Sequence, residues 1–472
     1  MSAGRSTLAL GLGLLVQACA EFSPDGGMAT VAAAVREQVG AETTKIATEA
    51  DAAVASTRVA VLLRETLSPE SAVQIALLNN RMLQADYNDL GLAEIASVEA
   101  GLPPNPRLSL SRISGPSFVE WEVRVIGNIL ALGTLPARRE IAGQRFAQAQ
   151  QAAIATTYRI ALDARRAWVA AVAAQETVGY LEQARAAADA TADLMRKLGQ
   201  TGGATKLEQA RAGAAYAEAV AQLAQARLRA RQAKDSLAQI MGLWGTSQEP
   251  RIPTRLPALP RAGDGISNVE AEALANRVDL KIARQELVIA ARSLKLSETT
   301  RFVSLIELAG IGIDERSGDA RTNRGGLDLE LEFPIFDGGE VKLRRELETY
   351  MRAVNRLAAK AVDARSEARS AYQNRLDAHE IASHYQKRVL PLRRIVAEET
   401  LLQYNGMLID VFDLLSEARE RVFANIAAIN ARRDFFLAEV ALRAAIIGGG
   451  GAASMGDAAE AASPGDTGAR GH

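Results

Sequence analysis

Aromatic residues make up only 4% of this 472-residue chain, and cysteine occurs once. So few rings, set among long stretches of Ala, Gln, Arg, Glu and Leu, exclude an ordinary compact α/β enzyme and point to long helices and coiled coils. The lone cysteine, Cys19, excludes an intramolecular disulfide. Neither sign of charge prevails: 55 Lys and Arg stand interspersed with 56 Asp and Glu. Nucleic-acid binding needs a concentrated basic surface, so no nucleic-acid partner is expected. Beyond the extreme N-terminus there is no apolar run of about 18 residues, the length a helical membrane span requires. A membrane role would therefore fall to β-strands.

What is present begins with an address. Arg5 supplies a small positive region, and residues 8–16 form an apolar stretch too short to span a bilayer. Two processing readings follow. Val16-Gln17-Ala18-Cys19 resembles a lipobox, which makes residues 1–18 a lipoprotein signal peptide and Cys19 the lipidated (palmitate-bearing) first residue. Ala18-Cys19-Ala20 also fits an ordinary A-x-A cleavage site. Either one means export. A single lipid chain anchors only modestly without a second membrane element.

The chain then repeats itself. Gly133 and Gly339 lie 206 positions apart, Gly199 and Gly406 207, and Gly242 and Gly448 again 206. Leu135-Pro136-Ala137-Arg138-Arg139-Glu140 has its counterpart in Val341-Lys342-Leu343-Arg344-Arg345-Glu346. Punctuation at one interval marks structural repeats. The expected organisation is an N-terminal segment 19–66, a first repeat 67–247, a linker 248–265 with four prolines, a second repeat 266–447, and a Gly/Ala-rich disordered tail 448–472. In the first repeat a helix starts near Ser68, with Pro69 at N1, and runs to Gly101. Strands 107–113 and 118–126 follow, then a helix of roughly 60 residues, about 90 Å long, a break at 199–203 and a return helix. The second repeat copies this plan, with strands 301–313 and 327–336 around a polar loop and a kink predicted at Pro391. The fold class is thus mainly α with a small β part: two tandem repeats of long antiparallel coiled-coil helices, each with a β-hairpin.

Two periodicities matter. Residues 327–333 (Leu-Asp-Leu-Glu-Leu-Glu-Phe) and 119–125 (Val-Glu-Trp-Glu-Val-Arg-Val) alternate strictly between apolar and charged side chains. A strand with one greasy and one charged face suits a sheet between lipid and a polar lumen. Four strands per chain are too few to close a membrane barrel, which has at least about eight, so closure requires several chains. Ile154, Tyr158, Ala161, Trp168 and Val172 keep 3/4 spacing, interrupted by Arg165, as in coiled-coil packing.

Catalytic signatures are missing. His379-Glu380-Ile381-Ala382-Ser383-His384 approaches a zinc-protease motif but has one residue too many, which turns the two histidines away from a common helix face. No metal, cofactor or catalytic residue is expected.

Taken in order, residues 72–80, Leu102-Pro103-Pro104-Asn105-Pro106, residues 331–339 (Leu-Glu-Phe-Pro-Ile-Phe-Asp-Gly-Gly), Tyr404-Asn405-Gly406 and Asp410-Val411-Phe412-Asp413 resemble the TolC-type outer-membrane efflux family. The resemblance spans roughly residues 68–447. It implies a homotrimer whose pooled strands make a 12-stranded β-barrel in the outer membrane, and whose helices continue as an α-barrel into the periplasm. It implies a passive duct in a tripartite efflux system, partnered by a periplasmic adaptor protein, an inner-membrane efflux pump and outer-membrane lipid. It also implies that Asp410 and Asp413 line the periplasmic aperture, with Tyr404 beside them; acidic rings favour cations. The competing reading is that acids in a first helical turn simply complement the macrodipole. A periplasmic coiled-coil adaptor or scaffold without a pore is the alternative function, and a lipid-anchored metalloenzyme a remote one.

Overall fold

The computed structural model describes residues 22–244, 250–261 and 268–449. The expected signal peptide, Cys19 and most of the tail (450–472) lie outside the described residues. In chain order the elements are α1 (Met28–Val39), α2 (Glu49–Leu62), α3 (Pro69–Asn79), α4 (Arg81–Gly101), β1 (Arg107–Ser114), β2 (Phe118–Asn128), α5 (Ile129–Gly133), α6 (Leu135–Gln200), α7 (Lys206–Ile240), α8 (Val269–Asn276), α9 (Val278–Thr299), β3 (Leu305–Ser317), β4 (Ala320–Glu332), α10 (Glu340–His384), a π-helical turn (Tyr385–Val389), α11 (Leu390–Asn405) and α12 (Val411–Ile447). No described helix is long and apolar enough to cross a membrane.

The repeats are not successive blocks in space. The described residues divide into two compact units, each drawn from both repeats: residues 85–153 with 279–361 and 22–31, and residues 32–84 with those of 154–278 and 362–449.

The first unit holds one four-stranded antiparallel sheet in the order β1-β2-β3-β4. Each repeat supplies a hairpin, and β2 pairs with β3 to join them. β1 and β2 begin at the expected residues, 107 and 118, and β2 contains the alternating stretch 119–125. The second hairpin differs from the expectation of strands 301–313 and 327–336 around a polar loop. Here the strands run through that polar stretch and turn only at Gly318-Asp319, with Gly318 at φ +58° as a two-residue hairpin requires. Cross-strand charges explain this extension, since Arg321 pairs with Asp314 and Arg324 with Glu315. At the other end β4 stops at Glu332, two residues before Pro334, which has no N–H for a ladder.

The second unit is helical. Ser68 caps α3 in a reciprocal capping box with Ser71, and Pro69 takes N1, as the sequence predicts. The single helix expected from Ser68 to Gly101 is interrupted at Asn80 (φ −70°, ψ 114°). Asn80 Oδ1 accepts from the Met82 and Leu83 amides at 2.9 and 3.1 Å, so it both breaks the first helix and caps the second. Asn79 Nδ2 donates to the carbonyls of Met241 and Gly242 at 3.1 and 2.7 Å, closing the end of α7. Gly242 (φ +66°) must be glycine there, because a Cβ would meet the Asn79 carbonyl oxygen at 2.5 Å. The second repeat breaks at the matching place, Arg277, between α8 and α9.

Two segments without repeat counterparts cover this unit. Residues 32–67 lie along α6: Tyr158 Oη donates to the Ala34 carbonyl at 3.1 Å and Trp168 Nε1 to the Leu67 carbonyl at 2.9 Å. Burial raises the Tyr158 phenol to about 12. The described part of the linker, 250–261, is neither helix nor strand and is tied down by the Leu67 amide to the Arg251 carbonyl and by the Leu256 amide to Glu176 Oε2. At the predicted kink the helix widens into the π-turn Tyr385–Val389. Pro391 has no N–H to return to the carbonyl four residues earlier, and a wider turn re-registers the ladder.

Candidate functional site

The register divides the sheet into two chemically distinct faces. Directly opposed residues share a face: Leu108, Val125, Gly310 and Leu327 form one row, and Leu110, Val123, Gly312 and Gly325 the next. Ile306, Leu308, Leu329 and Leu331 extend that apolar face toward one end. Toward the other end it meets Trp121, with the Arg112 guanidinium 5.4 Å from the ring centroid. The opposite face carries charge. Arg107 reaches Glu307 at 2.5 Å, Arg124 pairs with Glu122 and stands 3.9 Å from Asp328, and Arg324 lies 3.7 Å from Glu120.

Among the described residues nothing covers the apolar face of the outer strands. Leu327 is 81% exposed and Leu108 72%, and every residue of the outer strands β1 and β4 is exposed. Their outward N–H and C=O groups are a template for further strands. The strands of 11, 13 and 13 residues match or exceed the roughly 9–11 needed to cross a bilayer at a tilt.

The second candidate region lies at the helix turns of the other unit. Asp410 is the N-cap of α12 and accepts from the Asp413 amide at 3.0 Å. Asp413 sits in the first turn, and both side chains are exposed. Asp410 therefore serves as a cap while its charge still faces solvent. Tyr404 is half-buried beside a cluster of Met195, Ala212 and Val411, so its ring packs between helices.

Gly199 and Gly406 lie 207 positions apart, but the geometry aligns the two turns at another interval. After α6 the Gly203 amide returns to Leu198 O at 2.8 Å, with Gly202 left-handed at φ +80°. After α11 the Leu408 amide returns to Gln403 O at 2.9 Å, with Met407 left-handed at φ +56°. Both are Schellman ends, offset by 205 residues. The same offset carries Thr205 onto Asp410 and Glu208 onto Asp413. Glu208 closes a capping box: its carboxylate accepts from the Thr205 amide at 2.6 Å, while Thr205 Oγ1 accepts from the Glu208 amide at 3.2 Å. These Thr205 bonds hold the Glu208 carboxyl below its ordinary 4.5, against an upward push from desolvation and from nearby Asp410. The Thr-x-x-Glu pattern was the available signal. Around the turns, Arg419 pairs with Glu218 at 2.7 Å, Arg393 with Glu417 and Glu420 at 3.2 and 2.9 Å, and Arg211 lies 4.7 Å from the Phe412 ring centroid.

His379 has a structural occupation. Its Nε2 lies 2.9 Å from the Pro260 carbonyl, and its ring meets Phe435 edge-on at 5.4 Å. Among the described residues no group of three or more His, Cys, Asp or Glu could hold a metal ion.

This arrangement of interleaved helical repeats and a shared four-stranded sheet is the fold of solved outer-membrane channels. A membrane protein from Pseudomonas aeruginosa shares it at TM-score 0.70 and 17% identity, over 80% of this chain and 93% of that one. CusC, whose structures concern transmembrane channel formation, shares it at 0.68 and 16%, over 80% and 91%. The outer-membrane channel OprN shares it at 0.67 and 19%, over 81% and 90%. No family model matches the sequence, and no curated protein matches it.

Proposed function

We propose that this chain is the outer-membrane exit channel of a tripartite efflux system. The observation that carries the reading is the sheet: among the described residues of a single chain one apolar face and both edges are left open, with a charged network on the other face. Water does not tolerate a contiguous apolar sheet face, and open edges recruit strands. Lipid against the apolar face and neighbouring copies against the edges answer both demands. Three copies would pool twelve strands around a polar lumen, and their helices would form the periplasmic duct. Cys19 carries the lipid that anchors the assembly. A periplasmic adaptor docks on the helices and couples the duct to an inner-membrane pump. An adaptor or scaffold without a pore has no use for such a sheet.

In this reading Asp410 and Asp413 line the periplasmic mouth, with Tyr404 bracing the helices behind them. The test is the detergent-solubilised mass together with planar-bilayer conductance. Three chains carrying a cation-biased current are expected; a monomer without conductance overturns the proposal. Asp410→Asn with Asp413→Asn keeps the α12 cap, because Asn caps as well as Asp, and removes the charge. The double variant should lose cation preference; unchanged selectivity would move the aperture elsewhere.

A further inference from the structure

The helical unit contains a polar cavity of about 670 Å³ that the channel reading does not use. It opens where the linker residues Thr254 and Arg255 pass α6, α12 and the π-turn. Its charged lining is three arginines, Arg255, Arg394 and Arg432, against one carboxylate, Glu176. The carboxylate is already committed. Both its oxygens pair with Arg432 Nη2, and Oε2 also accepts from the Leu256 amide at 2.9 Å. Arg432 still has a buried Nε–H with no acceptor. Arg255 and Arg394 stand exposed at the cavity, and no described carboxylate pairs with either. The excess is two positive charges. Neutral donors complete the wall, among them Gln386 within the π-turn and Asn425.

Concentrating cations around a recess costs free energy unless an anion shares it, and guanidinium forks are shaped for oxyanions. Single π-turns often sit at functional sites because the extra residue re-aims the side chains after it. Here the turn lies between α10 and α11 and brings Gln386, Leu390 and Arg394 to the cavity. We propose that this cavity binds a divalent oxyanion of the phosphate class, held by Arg255 and Arg394 with Gln386 and Asn425 as neutral donors. Such an anion would clamp the linker to α11 and α12. The proposal does not depend on the channel reading, since every lining residue belongs to one chain.

The probe is inorganic phosphate, titrated calorimetrically into the full-length protein in detergent, with sodium chloride holding ionic strength constant. Saturable binding of one phosphate per chain is expected, displaced by sulfate and unaffected by replacing part of the chloride with another monovalent salt. Arg255→Gln with Arg394→Gln should weaken binding by at least about tenfold, the loss of one charge-assisted bond. Both residues are exposed, so folding is spared; circular dichroism and mass confirm it. Absence of saturable heat in the wild type overturns the proposal, as does unchanged affinity in the double variant. A protein that binds phosphate but carries no current would sink the channel reading alone.

Discussion

In α6, Ile154, Tyr158, Ala161, Trp168 and Val172 are all buried. The positions 206 residues on, in α10, are Lys360, Ala364, Glu367, Asn374 and Ala378, and of these only Ala364 is buried. Two helices in equivalent places of a repeat are thus held by different chemistry. The first meets a segment without a repeat counterpart, residues 32–67, through an apolar stripe with two ring-to-backbone hydrogen bonds. The second is held by charge: Arg277 to Glu367 at 2.5 Å, and Arg365 and Arg369 to Glu270 at 3.2 and 2.6 Å. A duplicated architecture tolerates this divergence because packing needs only complementary neighbours, and the neighbours differ.

The largest expected effect tests the apolar side. Trp168→Ala should destabilise the helical unit by about 3–5 kcal/mol, as removal of a buried large ring does, read as a fall in thermal midpoint in detergent. Asn374→Ala, at the matching exposed position, should stay within about 0.5 kcal/mol. Similar losses at the two sites would erase the contrast.

Next comes the ionic side. Arg277 has a side chain only 6% exposed, whereas Glu367 is 51% exposed. Removing the acid strands a buried cation that keeps the Ala445 carbonyl at 3.3 Å among its partners. Glu367→Ala should therefore cost roughly 1–3 kcal/mol. Arg369→Ala opens a solvated pair and should change the midpoint little. If the exposed pair proved the costlier, the ionic attachment would rest on its surface members.

Much of this was legible in the sequence, and the exceptions share a cause. Pro, Gly and capping residues act locally, so the start at Ser68 and the first hairpin fall where propensity puts them. The breaks at Asn80 and Arg277 were not legible: Asn80 adds to its local cap a bond to the Ile240 carbonyl 160 positions away, and Arg277 bonds the Ala445 carbonyl 168 positions away. The second hairpin was misplaced for a related reason. Residues 314–326 are polar and Gly-containing, which reads as loop, yet cross-strand pairs hold them in strands. At the turns the acids Asp410 and Asp413 were visible, while Glu208 joins them only through the 205-residue offset, which the folded turns reveal.

The turns allow two smaller comparisons. Both ends use an N-cap with an acid three residues on, but only the first repeat has the reciprocal box. Glu208 is held below its ordinary value, so its contribution is present above about 4.5 and is lost as pH falls through the depressed value. Hydrogen-exchange protection at the start of α7 should drop on acidification in the wild type and stay flat in Glu208→Gln, which keeps the box without titrating. An equal drop in the variant would assign the pH response to another group.

The smallest effect concerns Met407. It occupies the left-handed position that Gly202 fills in the first repeat, and its side chain is 93% exposed. A residue with a Cβ pays roughly 1–2 kcal/mol there, partly offset by the unfolded-state entropy that glycine would add. Met407→Gly should thus stabilise the second turn by about 0.5 kcal/mol, measured as slower local exchange at residues 406–411. Because the side chain buries almost nothing within the chain, a loss of stability instead would mean that Met407 is held by a neighbouring copy or partner. The two turns would then differ in what they touch, as the two outgoing helices do.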